Sequence, residues 1–164
     1  MAGALTSPVA QDAGNVVISG TGDGGTFNVT LGEGALIDAS AGAWMDDKGK
    51  LGKGKAGNIT LEGITDIEAG QVQAFGFSKG GTLTLDTMKD VQIGGQLPAG
   101  AGTFWLAESF FNAGGFSRFN VTASADGADL SVASGASIQP HMQTLLTQPG
   151  IAALPSGTAM QDIT

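Results

Sequence analysis

The sequence predicts an all-β protein built as a β-solenoid with coils of about 24 residues. Glycine accounts for 28 of the 164 residues, whereas about 7% is usual. Short segments alternate apolar and small polar residues, and two of them repeat residue by residue at a fixed spacing. Frequent glycine disfavours long helices, and alternation with period two is typical of half-buried strands.

The clearest repeat joins two segments that lie 24 residues apart. Residues 57–62 (GNITLE) match residues 81–86 (GTLTLD), and the match continues with Gly70 over Gly94. Strands that repeat in this way are expected to stack in parallel, about 4.8 Å apart. The expected vertical pairs are Ile59 over Leu83, Leu61 over Leu85 and Ile67 over Val91.

Weaker copies of the same pattern extend the repeat. Two begin at Val29 and Leu130, and an irregular copy lies around residues 104–111. Paired glycines between the segments, such as Gly94-Gly95, predict tight corners. An antiparallel sandwich also has short strands joined by glycine turns, but its strands have no reason to repeat in register. The repeat therefore favours the solenoid.

The repeat divides the chain into three parts. Residues 14–140 form the predicted solenoid, with a Gly- and Lys-rich inserted loop at 43–56. Residues 1–13 lack the alternation and are predicted to be irregular. Residues 141–164 lack it too and contain Pro149 and Pro155, which predicts an irregular or short helical segment.

Composition and charge exclude several function classes. The net charge is −8, and four of the seven cationic residues lie in one short stretch, so no nucleic-acid surface is expected. No apolar run approaches the about 18–20 residues that span a bilayer. The absence of cysteine excludes disulfides and thiolate metal sites. We expect no cofactor.

Two pairs of carboxylates share the 24-residue spacing and are candidates for a metal site. Glu62 with Asp86, and Asp66 with Asp90, are expected to stack in adjacent coils. Stacked like charges repel, so each pair is either solvated or bridged by a cation such as Ca²⁺. The expected turn position of Asp66 and Asp90 favours the solvated alternative, and no metal site is predicted.

The inserted loop is a candidate for recognition. A mobile binding loop with an exposed aromatic ring is one interpretation, and a solvated insertion with the tryptophan folded back onto the coil is the other. The residues concerned are Trp44, Lys48, Lys50, Lys53 and Lys55. The stretch is not a phosphate-binding loop, because Ala56 follows Lys55 and no helix is predicted after it.

An aromatic run lies near the middle of the predicted solenoid. Residues 104–106 (FWL) are followed by Phe110, Phe111 and Phe116. Such a cluster could bind carbohydrate by ring stacking, but it more often closes a broad interior. We expect these residues to pack in the core.

Catalytic residues are not apparent in the sequence. His141 and Arg118 are the single histidine and the single arginine, and neither cysteine nor tyrosine is present. No Ser/His/Asp arrangement is supported by spacing. Enzymes that act on acidic polysaccharides need grouped carboxylates or Ca²⁺ with a basic partner. We expect a protein that is not an enzyme.

Several segments together carry a family resemblance. They are 57–61 (GNITL), 36–42 (LIDASAG) followed by Trp44, 80–85 (GGTLTL), and 111–119 with Asn-Val-Thr after it. With the 24-residue period, they resemble the repeat region of filamentous-haemagglutinin-like exoproteins of two-partner secretion. The resemblance covers roughly residues 14–140 and implies a right-handed parallel β-helix within a long exported filament. The chain departs from the family in being much shorter.

The resemblance implies a non-catalytic shaft segment of an adhesin, located outside the cell or on the bacterial outer surface. Implied partners are a glycan or protein receptor on host cells or surfaces. Further coils of a larger chain, or other copies joined end to end, are also expected. The alternatives on the same solenoid are a polysaccharide lyase or hydrolase, and a glycan-binding module that uses Trp44 or Trp105.

Overall fold

The computed structural model describes residues 12–20, 28–45, 51–77, 79–98 and 102–140. Within these ranges the chain is all-β, as predicted. In chain order the elements are β1 (Val16–Ser19), β2 (Val29–Thr30), β3 (Ile37–Asp38), β4 (Ala43–Met45), β5 (Leu51–Lys53), β6 (Ile59–Glu62), β7 (Ile64–Asp66), β8 (Val72–Gln73), β9 (Thr82–Thr87), β10 (Asp90–Ile93), β11 (Thr103–Leu106), a 3-10 helix (Glu108–Asn112), β12 (Arg118–Ala123) and β13 (Leu130–Val132).

The two chain ends fall largely outside these ranges. The predicted irregular segment 141–164 is not among the described residues, and of the segment 1–13 only residues 12 and 13 are. The one helix in the described ranges is the five-residue 3-10 helix, which is far shorter than a bilayer span requires.

A four-stranded parallel sheet is the largest sheet, with strand order β1-β6-β9-β12. Ile59 pairs with Leu83 and Leu61 pairs with Leu85, which confirms two of the three predicted vertical pairs. All four side chains are at most 1% exposed, because alternate residues of a strand point to the same side of the sheet. The intervening residues of β6 and β9 point outward.

Two further sets of parallel contacts accompany this sheet. β2 pairs with β7 and β3 pairs with β8, so the strands that follow β1 pair with the strands that follow β6, in the same order. The β3–β8 contact continues beyond the strands, where the N–H of Ala41 donates to the carbonyl of Phe75 at 2.8 Å. On the other side of β8, the N–H of Ala74 donates to the carbonyl of Gly114 at 2.7 Å.

The core lies between these sets of strands and is almost entirely apolar. Strands β6, β7, β9, β10 and β11 supply most of it, together with the 3-10 helix. The largest side chains below 2% exposure are Phe104, Ile59, Leu61, Ile64, Leu83, Leu85, Leu106, Val91 and Thr87.

Among the strands of the described ranges, the spacing of 24 residues holds for one pair, β6 and β9. Along the four-stranded sheet, hydrogen-bonded neighbours are separated by 43, 24 and 36 residues. The prediction that segments beginning at Val29 and Leu130 are equivalent to β6 and β9 is wrong. Val29 pairs with Ile64 and Leu130 pairs with Val91, so both belong to other sheets. The equivalents of β6 and β9 are β1 and β12.

The predicted stacking of Ile67 over Val91 is also wrong. Val91 has Phe104 of β11 on one side and Leu130 of β13 on the other. β11 contacts β7 and thus occupies the place where β7 would meet β10. Burial of Phe104 and Leu106, each 1% exposed, favours this insertion because it fills the core with two large apolar side chains.

A glycine turn makes the insertion possible. Gly94 and Gly95 have φ values of 74° and 69°, which lie in the left-handed region that other residues rarely adopt. The turn lets the chain leave β10 and return as β11, parallel and adjacent to it. The tight corner predicted at this glycine pair is confirmed.

Replacing Leu83 with alanine should lower the free energy of unfolding by about 2–5 kcal/mol, because its fully buried side chain has Ile59 and Phe119 as register neighbours and would leave a cavity. Thr84→Ala is the matched control in the same strand, since Thr84 is on the partly exposed side, and should cost less than about 1 kcal/mol. Urea unfolding followed by circular dichroism measures both. Equal losses would contradict the inward assignment of Leu83.

Candidate functional site

The predicted recognition loop begins and ends in a β-hairpin. β4 and β5 pair antiparallel, with Trp44 opposite Gly52 and Lys53 opposite Ala43. Lys53 and Lys55 are exposed, and the backbone N–H of Lys55 donates to Oδ1 of Asp12 at 2.8 Å. The hairpin thus places these two cations at the surface, beside the N-terminal end of β1. Lys48 and Lys50 lie outside the described residues.

Of the two predicted carboxylate pairs, only Glu62 with Asp86 is found in register. Both side chains point outward from adjacent strands of the four-stranded sheet, and the hydroxyl of Ser124 donates to Oδ1 of Asp86. Partial burial, and then repulsion by Glu62, raise the pKa of Asp86 above its ordinary value. Asp86 therefore ionises less readily in the folded protein than an isolated aspartate does.

Asp66 and Asp90 do not stack, so this prediction is wrong. Asp66 pairs with Thr30 of β2, and Asp90 pairs with Thr103 of β11. Insertion of β11 gives each carboxylate a different neighbour. Oδ1 of Asp90 accepts a hydrogen bond from the N–H of Asp129 at 3.0 Å, which ties the start of β10 to the segment before β13.

Most of the aromatic run packs in the core, as predicted. Phe104, Phe110, Phe111 and Phe116 are between 1% and 6% exposed. The Phe110 and Phe111 rings meet edge to face with centroids 5.7 Å apart, a favourable geometry for aromatic pairs. Trp105 is the exception: it is only partly buried, because it alternates with the inward residues of β11.

A cleft of about 320 Å³ lies where β7 and β11 meet. β7 contributes its C-terminal end and the residues that follow it, and β11 contributes its outward side chains. The lining residues are Asp66, Ile67, Glu68, Ala69, Leu97, Thr103, Trp105, Ala107 and Phe110. The cleft thus combines two carboxylates, a threonine and an indole with apolar side chains.

The indole in this cleft is held by a hydrogen bond. Nε1 of Trp105 donates to the carbonyl of Gly94 at 3.1 Å. Nε2 of Gln92, the register partner of Trp105, donates to the same carbonyl at 3.1 Å. The glycine turn therefore fixes the orientation of the tryptophan as well as the path of the chain.

One cation lies beside this cleft. Nζ of Lys89 donates to the carbonyl of Thr65 at 3.0 Å, and Thr65 directly precedes Asp66 of the lining. The hydroxyl of Thr65 donates to the carbonyl of Val29 at 3.2 Å. Lys89 therefore offsets part of the negative charge of the two carboxylates.

A polar ladder that the sequence analysis missed runs beside the four-stranded sheet. Oδ1 of Asn15 accepts hydrogen bonds from the N–H and the side-chain amide of Asn58, at 2.9 and 3.0 Å. Oδ1 of Asn58 in turn accepts the N–H of Thr82 at 2.9 Å. The sequence feature that could have predicted this ladder is the dipeptide Gly-Asn, which directly precedes both β1 and β6. This shared dipeptide identifies β1 as the equivalent of β6.

A second polar contact joins β3 and β8. Burial raises the pKa of Asp38, but hydrogen bonds from Ser40 and Gln73 outweigh it, and the pKa lies below its ordinary value. Nε2 of Gln73 donates to Oδ2 at 2.9 Å, and the N–H of Ser40 donates to Oδ1 at 2.8 Å. Asp38 is therefore a charged link between neighbouring strands.

The described residues offer binding groups more than reactive ones. No three His, Asp or Glu side chains in the described ranges group closely enough to hold a metal ion. Arg118 is exposed at the start of β12, and His141 lies outside the described residues.

Comparison with protein-family models found no match, and no curated protein or solved structure matched the chain. The fold and the cleft are therefore the basis for assigning a function.

Removing one charge of the Glu62–Asp86 pair should stabilise the protein near neutral pH. Because the pKa of Asp86 is raised in the folded state, stability falls as pH rises through that pKa, and the penalty is complete above it. Asp86→Asn and Glu62→Gln should each raise the free energy of unfolding at pH 7 by on the order of a few tenths of a kcal/mol, and the melting temperature should rise with it.

Thermal unfolding at low salt, between about pH 3 and 7, measures this effect. The gain of Asp86→Asn over the unmodified protein should shrink toward pH 3, where the aspartate is protonated. Asp90→Asn is the control, since Asp90 has no carboxylate as register partner, and it should give no gain. A gain equal to that of Asp86→Asn would contradict the described register.

Proposed function

We propose that this chain is a non-catalytic structural segment of a secreted or surface-exposed adhesin of the filamentous-haemagglutinin-like type. In this proposal the parallel sheets are the faces of a right-handed parallel β-helix, and each coil adds one strand to each face. The coils form an extended shaft and present surface residues for attachment to cells or surfaces. The location is outside the cell or on the bacterial outer surface.

The order of strand pairing is the observation that carries the proposal. β1, β2 and β3 pair in parallel with β6, β7 and β8 respectively. A chain that winds in one direction and adds one strand to each of three sheets per turn has this pairing order. β9 and β12 extend the first sheet by two more strands. An antiparallel sandwich does not account for these parallel ladders.

The outer strands support continuation into further coils or other copies. β1 and β12 are the outermost strands of the four-stranded sheet in the described residues. Val17 of β1 is 64% exposed, and Leu130 and Val132 of β13 are 48% and 54% exposed. Apolar residues on unpaired strand edges favour addition of another strand. The expected partners at the ends are therefore coils of the same kind.

The side chains along the coils support a role in presenting surface groups for attachment more than a role in catalysis. Polar contacts between strands, such as those of Asn15, Asn58 and Asp38, link neighbouring coils. The cleft beside Trp105 has two carboxylates in its described lining and no basic side chain. A lyase for acidic polysaccharides would need a basic side chain in that lining, and the nearby Nζ of Lys89 is instead bonded to the carbonyl of Thr65.

Attachment can be tested with beads coated with the full chain. We expect them to adhere to epithelial cells or to abiotic surfaces more than beads coated with an acidic globular protein of similar size. Lys53→Gln with Lys55→Gln should reduce adhesion if the hairpin is the recognition element, because it removes two exposed cations. The matched control, Lys79→Gln with Arg118→Gln, removes the same charge elsewhere. Adhesion no greater than that of the reference protein would refute the attachment role.

The absence of catalysis can be tested separately. The chain is incubated with pectate, alginate and hyaluronate, with and without Ca²⁺. We expect no release of reducing ends and no absorbance from unsaturated uronates. Sustained, enzyme-concentration-dependent release of either product would replace the structural proposal with the enzymatic alternative.

A further inference from the structure

The cleft beside Trp105 exists because the parallel ladder is interrupted there. β7 is hydrogen-bonded to β2 on one edge, and β11 is hydrogen-bonded to β10 on its far edge. β7 and β11 are in contact but do not belong to one sheet. The resulting opening of about 320 Å³ is at the lower end of the about 300–1,000 Å³ of small-ligand sites, and it matches a ligand of one or two sugar rings.

Trp105 supplies a fixed aromatic face in this opening. Its neighbours Phe104 and Leu106 are buried at 1% exposure, so the indole is directed outward by the alternation of the strand. The hydrogen bond from Nε1 to the carbonyl of Gly94, at 3.1 Å, fixes the ring before any ligand arrives. A ring that is already ordered loses little conformational entropy on binding.

Asp66 and Glu68 supply hydrogen-bond acceptors in the lining of the same cleft. Oδ1 of Asp66 accepts the N–H of Ile67 at 3.0 Å, which orients the carboxylate. Within the described part of the chain, Oδ2 of Asp66 and both carboxylate oxygens of Glu68 have no protein donor. Oriented carboxylates accept hydrogen bonds from adjacent hydroxyls, and Thr103 adds a hydroxyl that can donate or accept.

The charge and the geometry of the lining discriminate between ligand classes. The lining has two carboxylates and no basic side chain among its described residues. The nearby Nζ of Lys89 is bonded to the carbonyl of Thr65 and offsets only one of the two negative charges, so the cleft disfavours anionic ligands. Phe110 also lines the cleft but is only 4% exposed, so Trp105 is the one aromatic residue of the described lining that offers a ring face. Recognition of quaternary ammonium groups instead uses a cage of several rings. A flat apolar face and acceptors for hydroxyl groups, brought together in one cleft, are complementary to a pyranose ring.

We propose that this cleft binds one or two residues of a neutral oligosaccharide, with Trp105 stacked on a sugar ring and Asp66 and Glu68 accepting its hydroxyls. The site goes beyond the shaft role, because it gives one coil a specific ligand. It does not depend on that role: the cleft binds sugar whether or not the coils continue into a filament.

Ligand-observed saturation-transfer NMR with the unmodified full chain is the first test. The probes are cellobiose, mannobiose and diacetylchitobiose as neutral disaccharides, an unsaturated hyaluronate disaccharide as the anionic probe, and tetramethylammonium chloride as the cationic probe. We expect saturable binding of at least one neutral disaccharide with a Kd of about 1 mM, a weak affinity typical of a small open site. No binding of any neutral probe, or tighter binding of the anionic or cationic probe, would overturn the proposal.

Variants then locate the binding. Glu68→Ala should weaken binding of the neutral disaccharide at least about tenfold, and its exposed side chain makes no described contact that the fold requires. Trp105→Ala should abolish binding, and Trp105→Phe should retain part of it because a ring remains. Asp126→Ala is the matched control, since it removes one exposed carboxylate outside the cleft. Circular dichroism verifies folding.

The outcomes are unambiguous even if Trp105→Ala does not fold, because Glu68→Ala alone decides the location. Unchanged affinity in Glu68→Ala would overturn the proposed site. Loss of affinity in Asp126→Ala to the same extent would show a general charge effect and would also overturn it. Failure of the bead-adhesion assay leaves these binding results intact, so the two proposals fail independently.

Discussion

Parallel main-chain pairing in the four-stranded sheet is the interaction on which the described fold depends. Partners in a parallel ladder point to the same side, so Ile59, Leu83 and Phe119 form one line of inward side chains. A slip of one residue would exchange leucines for threonines in the interior, which strongly penalises other registers. The same ladder also acts on the outer side. It aligns Asn58 with Asn15, whose side chains form a hydrogen bond. It also aligns Glu62 with Asp86, whose carboxylates repel each other.

The sequence predicted the strand type and one register, and the reason lies in particular residues. GNITLE and GTLTLD share small, apolar and threonine positions, and these positions are what a parallel register aligns. The spacing of 24 residues did not extend further, because the connections differ. The β4–β5 hairpin lies between β3 and β6, and β11 with the 3-10 helix lies between β10 and β12. Val29 and Leu130 have the same local pattern as Ile59 and Leu83, and a local pattern does not specify which sheet a strand joins.

The cleft could not be predicted from the sequence, because it is produced by a missing ladder between two strands that are distant in the chain. The outward direction of Trp105 was predictable, since it lies between the apolar residues Phe104 and Leu106 in an alternating strand. The core interpretation of the aromatic run held for its phenylalanines and not for this residue. Asp66 and Glu68 were visible as acidic residues, but their place in one cleft with an indole depends on the insertion of β11.

Disulfide trapping is the most direct test of the parallel register, because the natural chain has no cysteine. Cysteines at Thr60 and Thr84 occupy paired positions, and adjacent strands bring their Cα atoms to about 4.8 Å, within disulfide range. Mild oxidation should give an intramolecular disulfide in nearly all molecules, detected by mass spectrometry of digested protein. Cysteines at Asp66 and Asp90, which have the same sequence spacing but different partners, should not form one. Efficient bridging of the second pair, or failure of the first in folded protein, would contradict the account.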